Sequence, residues 1–196
     1  MLDQQFSKPR GWIGKGVGLF MAKENEELNR WTQSFLSIDE QESVLEIGFG
    51  PGTALAGIAK KHPTVNLYGI DASEAMLTMA LKRLNKVRGL QQICLIHGEA
   101  SMIQNVQKRF DKVYSINNIT YWNNPVYTLR HIRSQMNTSG KIALTLCPHE
   151  DGATDSTTEV LGGQLKSILH GAGFSQIEIF IKPTKPNNTV CAVAIN

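Results

Sequence analysis

The chain has 196 residues, 41% of them hydrophobic, and 20 Lys and Arg against 17 Asp and Glu give a formal net charge of +3. That length suits one domain and that apolar share a folded core, which excludes a disordered chain. So small a charge gives no electrostatic footprint for nucleic acid, and no apolar run approaches the roughly 18 residues that span a bilayer.

One domain over residues 1–196 is expected, with residues 1–37 a helical and glycine-rich cap segment. The start, MLDQQFSKPRGW, has no apolar stretch after its charges, so no secretory signal is expected and the location reads as cytoplasmic. GWIGKGVGLFM follows, and its glycines oppose a rigid helix. It reads as a frayed end or as a flap that carries Trp12 and Phe20 over a site. Leu28, Trp31, Phe35 and Leu36 then share one face of a helix, with Asn25 placed to cap it and Glu26 and Glu27 in its first turn.

From there, apolar runs of strand length alternate with helical patterns, which predicts a parallel sheet covered by helices. The predicted strands are Ser43–Gly48, Val65–Asp71, Gln92–His97, Phe110–Ile116 and Lys141–Cys147. The predicted helices are Thr53–Lys61, Ser73–Val87 and Val126–Met136. Ser73 and Glu74 suit the start of the second of these, and Gly89 its end. A further helix from about Thr158 stops at Gly171 and Gly173. Gln176–Lys182 and Thr189–Ile195 are then joined by PTKPNN, a connection too short for a crossover, so these last two strands pair antiparallel. Cys94, Cys147 and Cys191 each lie in an apolar run and in no metal-ligand spacing, and read as buried free thiols of a reducing compartment.

The informative stretch is SVLEIGFGPGTAL, residues 43–55. A strand runs into Gly48, Gly50 and Gly52, and a helix starts straight after. Glycines belong where a strand turns sharply and a ligand lies against bare backbone, at the carboxyl end of an open parallel sheet. The spacing is GxGxG, not the GxGxxG of a dinucleotide fingerprint, and no P-loop pattern is present. Glu46 stands two residues before the first glycine, on the same side of the strand, where it would repel a pyrophosphate and attract an ammonium group. Asp71 ends the second strand, 19 residues after Gly52, and can accept two hydrogen bonds from vicinal ribose hydroxyls. Glu99 follows the third. Three acids thus converge on one edge, a layout suited to a positively charged nucleoside.

ExGxGxG after the first strand, Asp71 after the second and Gly98-Glu99-Ala100 after the third resemble a class I S-adenosylmethionine-dependent methyltransferase. The likeness runs from about Leu36 to the end and implies a Rossmann-like α/β fold: a doubly wound, seven-stranded, mostly parallel sheet with a C-terminal antiparallel β-hairpin. It implies S-adenosylmethionine as cofactor and S-adenosylhomocysteine as product. Gly48, Gly50 and Gly52 would shape the loop under the methionine, and Glu46 would orient its amino group. Asp71 would hold the ribose, and Ala72 and Met76 the adenine face. Glu99 and the Ala100 amide would read the adenine edge, and Asn117 would line the methionine end. The family often has Asp where this chain has Glu99.

Methyl transfer from a sulfonium releases a neutral leaving group, so catalysis rests mainly on positioning, and a base is needed only for a protonated acceptor. The candidates beyond the fourth and fifth strands are Asn117, Asn118, Tyr121 and Trp122, and His149, Glu150 and Asp151, with His149 the best base by its ordinary pKa. Tyr121 and Trp122 read either as an aromatic wall for the acceptor or as packing under the next helix. Asp111 lies at the wrong end of the sheet and reads as structural. Lys82, Arg83, Lys86 and Arg88 read as a solvated helix face. The expected acceptor is a small molecule, with no nucleic acid, membrane or metal. The alternatives are a nicotinamide-dependent oxidoreductase and a module that binds the cofactor without transfer.

Overall fold

The computed structural model describes residues 26–87, 92–148, 152–184 and 187–196. In chain order these form α1 (residues 26–34), β1 (Ser43–Ile47), α2 (Thr53–Lys61), β2 (Asn66–Asp71), α3 (Glu74–Leu84), β3 (Gln92–His97), β4 (Phe110–Ile116), α4 (Pro125–Ser134), β5 (Met136–Leu146), α5 (Asp155–Gly171), β6 (Ser175–Lys182) and β7 (Thr189–Ile195). Short 3-10 turns lie at Ala100–Asn105 and Ile119–Tyr121. The strands make one sheet in the order β3-β2-β1-β4-β5-β7-β6. The first five are mutually parallel, and β7 runs antiparallel to both β5 and β6. The expected mixed sheet with a terminal hairpin is the one observed. No helix among the described residues is long and apolar enough to cross a membrane.

Helices cover both faces of the sheet because its central strands are apolar on both sides. Leu45 and Ile47 of β1 pack with α4 and α5 through Leu129, Ile132, Leu165 and Leu169. Val44 faces the other way, into a cluster with Leu55, Ile58, Ala80, Leu84 and Leu36. At the amino ends of the strands the Asp111 carboxylate accepts from the Ser43 N–H (2.8 Å) and from Asn137 Nδ2 (2.6 Å), tying β1, β4 and β5 together.

Caps explain where the helices start. The Ser73 hydroxyl accepts from the Met76 N–H (3.4 Å), so α3 begins at Glu74 as its sequence suggests. Asn124 caps α4, with Pro125 in the first turn. That helix ends at Ser134, short of the predicted Met136, because Met136 already pairs with Phe110 as the start of β5. The last helix starts at Asp155, ahead of the predicted Thr158, because Thr154 and Thr157 form a reciprocal capping box.

Two further expectations change. Cys94 is exposed, not buried, on the edge strand β3; Cys147 and Cys191 are buried, and none of the three forms a disulfide. Burial pushes the Cys191 thiol up to about 12, which leaves it protonated and inert. In α1, Leu28 is buried, as is Leu36 just past its end. Trp31 meets Phe35 edge-on at 5.3 Å and Phe35 stacks on Phe180 of β6 at 4.5 Å. A contact of 2.6 Å between the Thr32 and Thr145 hydroxyls ties the helix to β5, and Gln33 Nε2 donates to the Ala54 carbonyl of α2 at 3.4 Å. The expected cap Asn25, the glycine-rich flap with Trp12 and Phe20, Arg88 and Gly89 lie outside the described residues.

Candidate active site

Strand order reverses between β1 and β4, and in an open parallel sheet the ligand crevice lies beyond the carboxyl ends of the strands at that point. A cavity of about 280 Å³ opens there, close to the roughly 300 Å³ at which ligand pockets begin. Of the residues singled out from the sequence, it brings together Glu46, Gly48, Gly50, Asp71, Ala72, Met76, Glu99, Ala100 and Asn117, with Asn118, Tyr121 and Trp122. Gly52 is not in its wall.

All three loop glycines have positive φ (+79°, +51° and +74° for Gly48, Gly50 and Gly52), which an L side chain rarely adopts. Their surroundings differ. A Cβ on Gly48 would lie 2.4 Å from Asn118 Cγ, and one on Gly52 would lie 2.8 Å from the Ala80 Cβ of α3. Protein atoms therefore demand those two. A Cβ on Gly50 would meet nothing within 4 Å, so Gly50 is the glycine whose bare backbone faces open space. The loop N–H groups are already engaged: Gly48 donates to the Ile70 carbonyl (2.8 Å), Gly50 to Asp71 Oδ2 (2.8 Å) and Gly52 to the Phe49 carbonyl (2.9 Å). These amides do not form a nest for a phosphate.

Glu46 is 4% exposed, and its Oε2 accepts a hydrogen bond of 2.9 Å from the Tyr114 hydroxyl. Burial pushes its pKa up to about 8, with the nearby Asp71 charge adding to the shift and the Tyr114 hydrogen bond opposing it. Burial thus disfavours the charged form of Glu46, and a cation placed beside it would favour the carboxylate. Asp71 is held by two backbone donors, Gly50 N–H on Oδ2 and Ser73 N–H on Oδ1, each at 2.8 Å. Burial also raises its pKa, against the pull of those donors and of His97. Each carboxylate oxygen keeps further acceptor capacity at the cavity wall.

Past β4, Asn117 adopts φ +50° and its Oδ1 accepts from the Cys147 N–H (2.8 Å), which locks the ends of β4 and β5 together. Asn118 lies against Gly48, and its Oδ1 accepts from the indole N–H of Trp122 (2.7 Å). Trp122 is buried in the core while also lining the cavity, whereas Tyr121 is 50% exposed at its wall. His149, Glu150 and Asp151 lie outside the described residues.

Sequence reasoning missed Asn29, Thr53 and Asn123, which also line the cavity. Arg83 turns from the expected wet face to donate to the Thr53 hydroxyl. Asn29 had a legible signal: Asn29, Thr32 and Gln33 stand at i, i+3 and i+4 and make a polar stripe beside the apolar face of α1.

The geometry is thus a hairpin-ended, mostly parallel sheet with a glycine loop at its switch point and acids at three successive strand ends. The profile of a methyltransferase domain matches residues 44–140. The chain belongs to the class I S-adenosylmethionine-dependent methyltransferases, and S-adenosylmethionine is its cofactor. It is 39% identical over 178 residues to the methyltransferase YdaC of Bacillus subtilis (strain 168), covering 91% of this chain and 96% of that one. A tRNA (guanine-N(7)-)-methyltransferase of Clostridium perfringens (strain SM101 / Type A) is 28% identical over 102 residues, 50% of this chain and 46% of that one. The fold matches, at a TM-score of 0.72 and 15% identity, a chain in the complex of the Haloferax volcanii Trm112 methyltransferase activator with a methyltransferase, over 94% of this chain and 95% of that one. The nicotinamide alternative falls with the family.

Proposed function

We propose that this methyltransferase acts on a small-molecule acceptor that enters past Tyr121. The observation that carries this reading is the distribution of exposure around the cavity. Among the described lining residues, only Tyr121 and Asn123 are exposed, and both follow β4. The acceptor approaches there, beside a half-open phenol ring suited to a planar or cationic group.

The residues present fit the cofactor. Gly50 offers bare backbone, and Asp71, locked by two N–H donors, is preset to receive the ribose hydroxyls. Ala72 and Met76 take the adenine face, Glu99 and the Ala100 amide its edge, and Asn117 the methionine end. Gly48 and Gly52 hold the loop's path, and Glu46 takes the ammonium group. When bound, S-adenosylmethionine supplies an electrophilic methyl group and leaves as S-adenosylhomocysteine. The protein's part is to align the acceptor, which can supply several orders of magnitude without a proton transfer. Asn118, its carbonyl engaged by Trp122, supports the loop. Tyr121 and His149 are the candidates to take a proton from an acceptor that arrives charged.

Transfer of a labelled methyl group from S-adenosylmethionine to a panel of small amines, phenols and carboxylates, with unmodified tRNA alongside, tests the reading. Label on a small molecule, and its loss in a Tyr121→Ala variant, is the expected result. Label on the tRNA and on no small molecule overturns it.

A further inference from the structure

Asn29 is 8% exposed and lines the cavity, yet its amide makes no hydrogen bond to any described residue. That amide is not one of the fully sealed, unsatisfied polar groups among the described residues, so it stands as a polar group at the cavity wall, able to meet what enters. Its placement is not accidental slack in α1. Thr32 and Gln33, three and four residues on, fix the same helix face to Thr145 and to the Ala54 carbonyl. Asn29 is therefore presented to the cavity from a docked helix, in a lining it shares with Glu46 and with Thr53 of α2.

The described wall it faces holds no Lys or Arg to meet an anion. The three glycine amides are engaged within the protein, and the charged side chains of the described wall are Glu46, Asp71 and Glu99. A zwitterionic amino-acid group placed there finds an acceptor for its ammonium in Glu46 but still needs a donor for its carboxylate. An Arg or Lys in that role would pair with Glu46 and cancel it. A neutral amide would not.

We propose that Asn29 is a cofactor-binding residue, its Nδ2 donating to the carboxylate of the methionine end while Glu46 receives the ammonium. The inference rests on the placement of the cofactor given above, and it makes the segment ahead of the first strand part of the site. The test compares S-adenosylhomocysteine with 5′-methylthioadenosine, which lacks the amino-acid carbons, by calorimetric titration of the full chain. Asn29→Ala should weaken S-adenosylhomocysteine about tenfold or more and leave 5′-methylthioadenosine within about twofold. Asn29→Asp, the same shape with a like charge, should weaken S-adenosylhomocysteine further still and likewise spare 5′-methylthioadenosine. It carries the comparison if the Ala variant melts early. Equal losses for both ligands, or S-adenosylhomocysteine bound by Asn29→Asp as by the parent, overturns the assignment. A parent protein that bound neither ligand would overturn the cofactor placement itself, and this inference with it.

Discussion

Tyr114 and Glu46 stand in register on adjacent strands, β4 and β1, and the phenol hydroxyl donates to the Glu46 carboxyl at 2.9 Å inside the protein. The pair lies at the seam where strand order reverses, so one side chain of the sheet's interior faces the ligand crevice. Burial pushes its pKa up to about 8, so a cation placed beside it would shift its charge. The phenol is itself pushed well above its ordinary value by burial and by Glu46, so it remains the donor.

Stability without ligand should fall as pH rises. Glu46 titrates near 4.5 when unfolded and at about 8 when folded, so between those values the native state binds more protons than the unfolded state. Its contribution is full below pH 4.5 and is lost as pH rises through 8. Urea unfolding at pH 5 and pH 8.5 should show the loss, and Glu46→Gln should remove that part of it. Tyr114→Phe takes away the hydrogen bond that lowers the Glu46 pKa and should move the loss to higher pH. A parent as pH-dependent as the Gln variant contradicts the assignment.

Cofactor binding should release protons. An ammonium group beside Glu46 favours its carboxylate, so at pH 7 binding drives off part of one proton, and affinity climbs with pH until about 8 and then levels. Titration calorimetry in phosphate and in Tris measures the release from the difference in heat. Glu46→Gln should show none from this group.

The loop glycines should separate binding from folding. Gly50→Ala strains one residue at φ +51° but meets no atom, so its melting point should drop modestly, by the equivalent of about 1–2 kcal/mol, while S-adenosylhomocysteine affinity drops more. Gly52→Ala drives a methyl group against Ala80 and should damage stability first, by about 1–3 kcal/mol or more. Parallel melting and binding series on the two variants decide it, and identical profiles would contradict the division of roles.

Asp71→Ala should lower S-adenosylhomocysteine affinity by about ten- to a hundredfold, the cost of a two-pronged contact of about 1.5–3 kcal/mol. It should also lower the melting point, since the Gly50 and Ser73 N–H groups lose their acceptor. Binding as tight as the parent's would remove the ribose assignment.

Much of this arrangement was legible in the chain. Gly48 to Gly52 between an apolar strand and a helix, and acids at or near the ends of three strands, are local patterns, and backbone sterics and strand period act on neighbours in sequence. The same locality explains the misses. Thr154 and Thr157 move the start of α5 through a capping box that a reading anchored on Thr158 overlooked. Cys94 sits in an apolar run like the other two thiols, and only the strand order makes β3 an edge.

The sequence by itself determined the class of fold, the glycine bend and the line of carboxylates at the strand ends, because each follows from propensity and spacing over a few residues. Only tertiary structure decided what those groups are. It took burial by several elements to push the Glu46 carboxyl up, against the opposing hydrogen bond from Tyr114, 68 residues away. It took Asn118 and Ala80 to show that two of the three glycines serve the protein's own packing. It took the docking of α1 on β5 to deliver Asn29 to the cavity. Charge state, close approach and convergence depend on distances between residues far apart along the chain, and those distances exist only once it has folded.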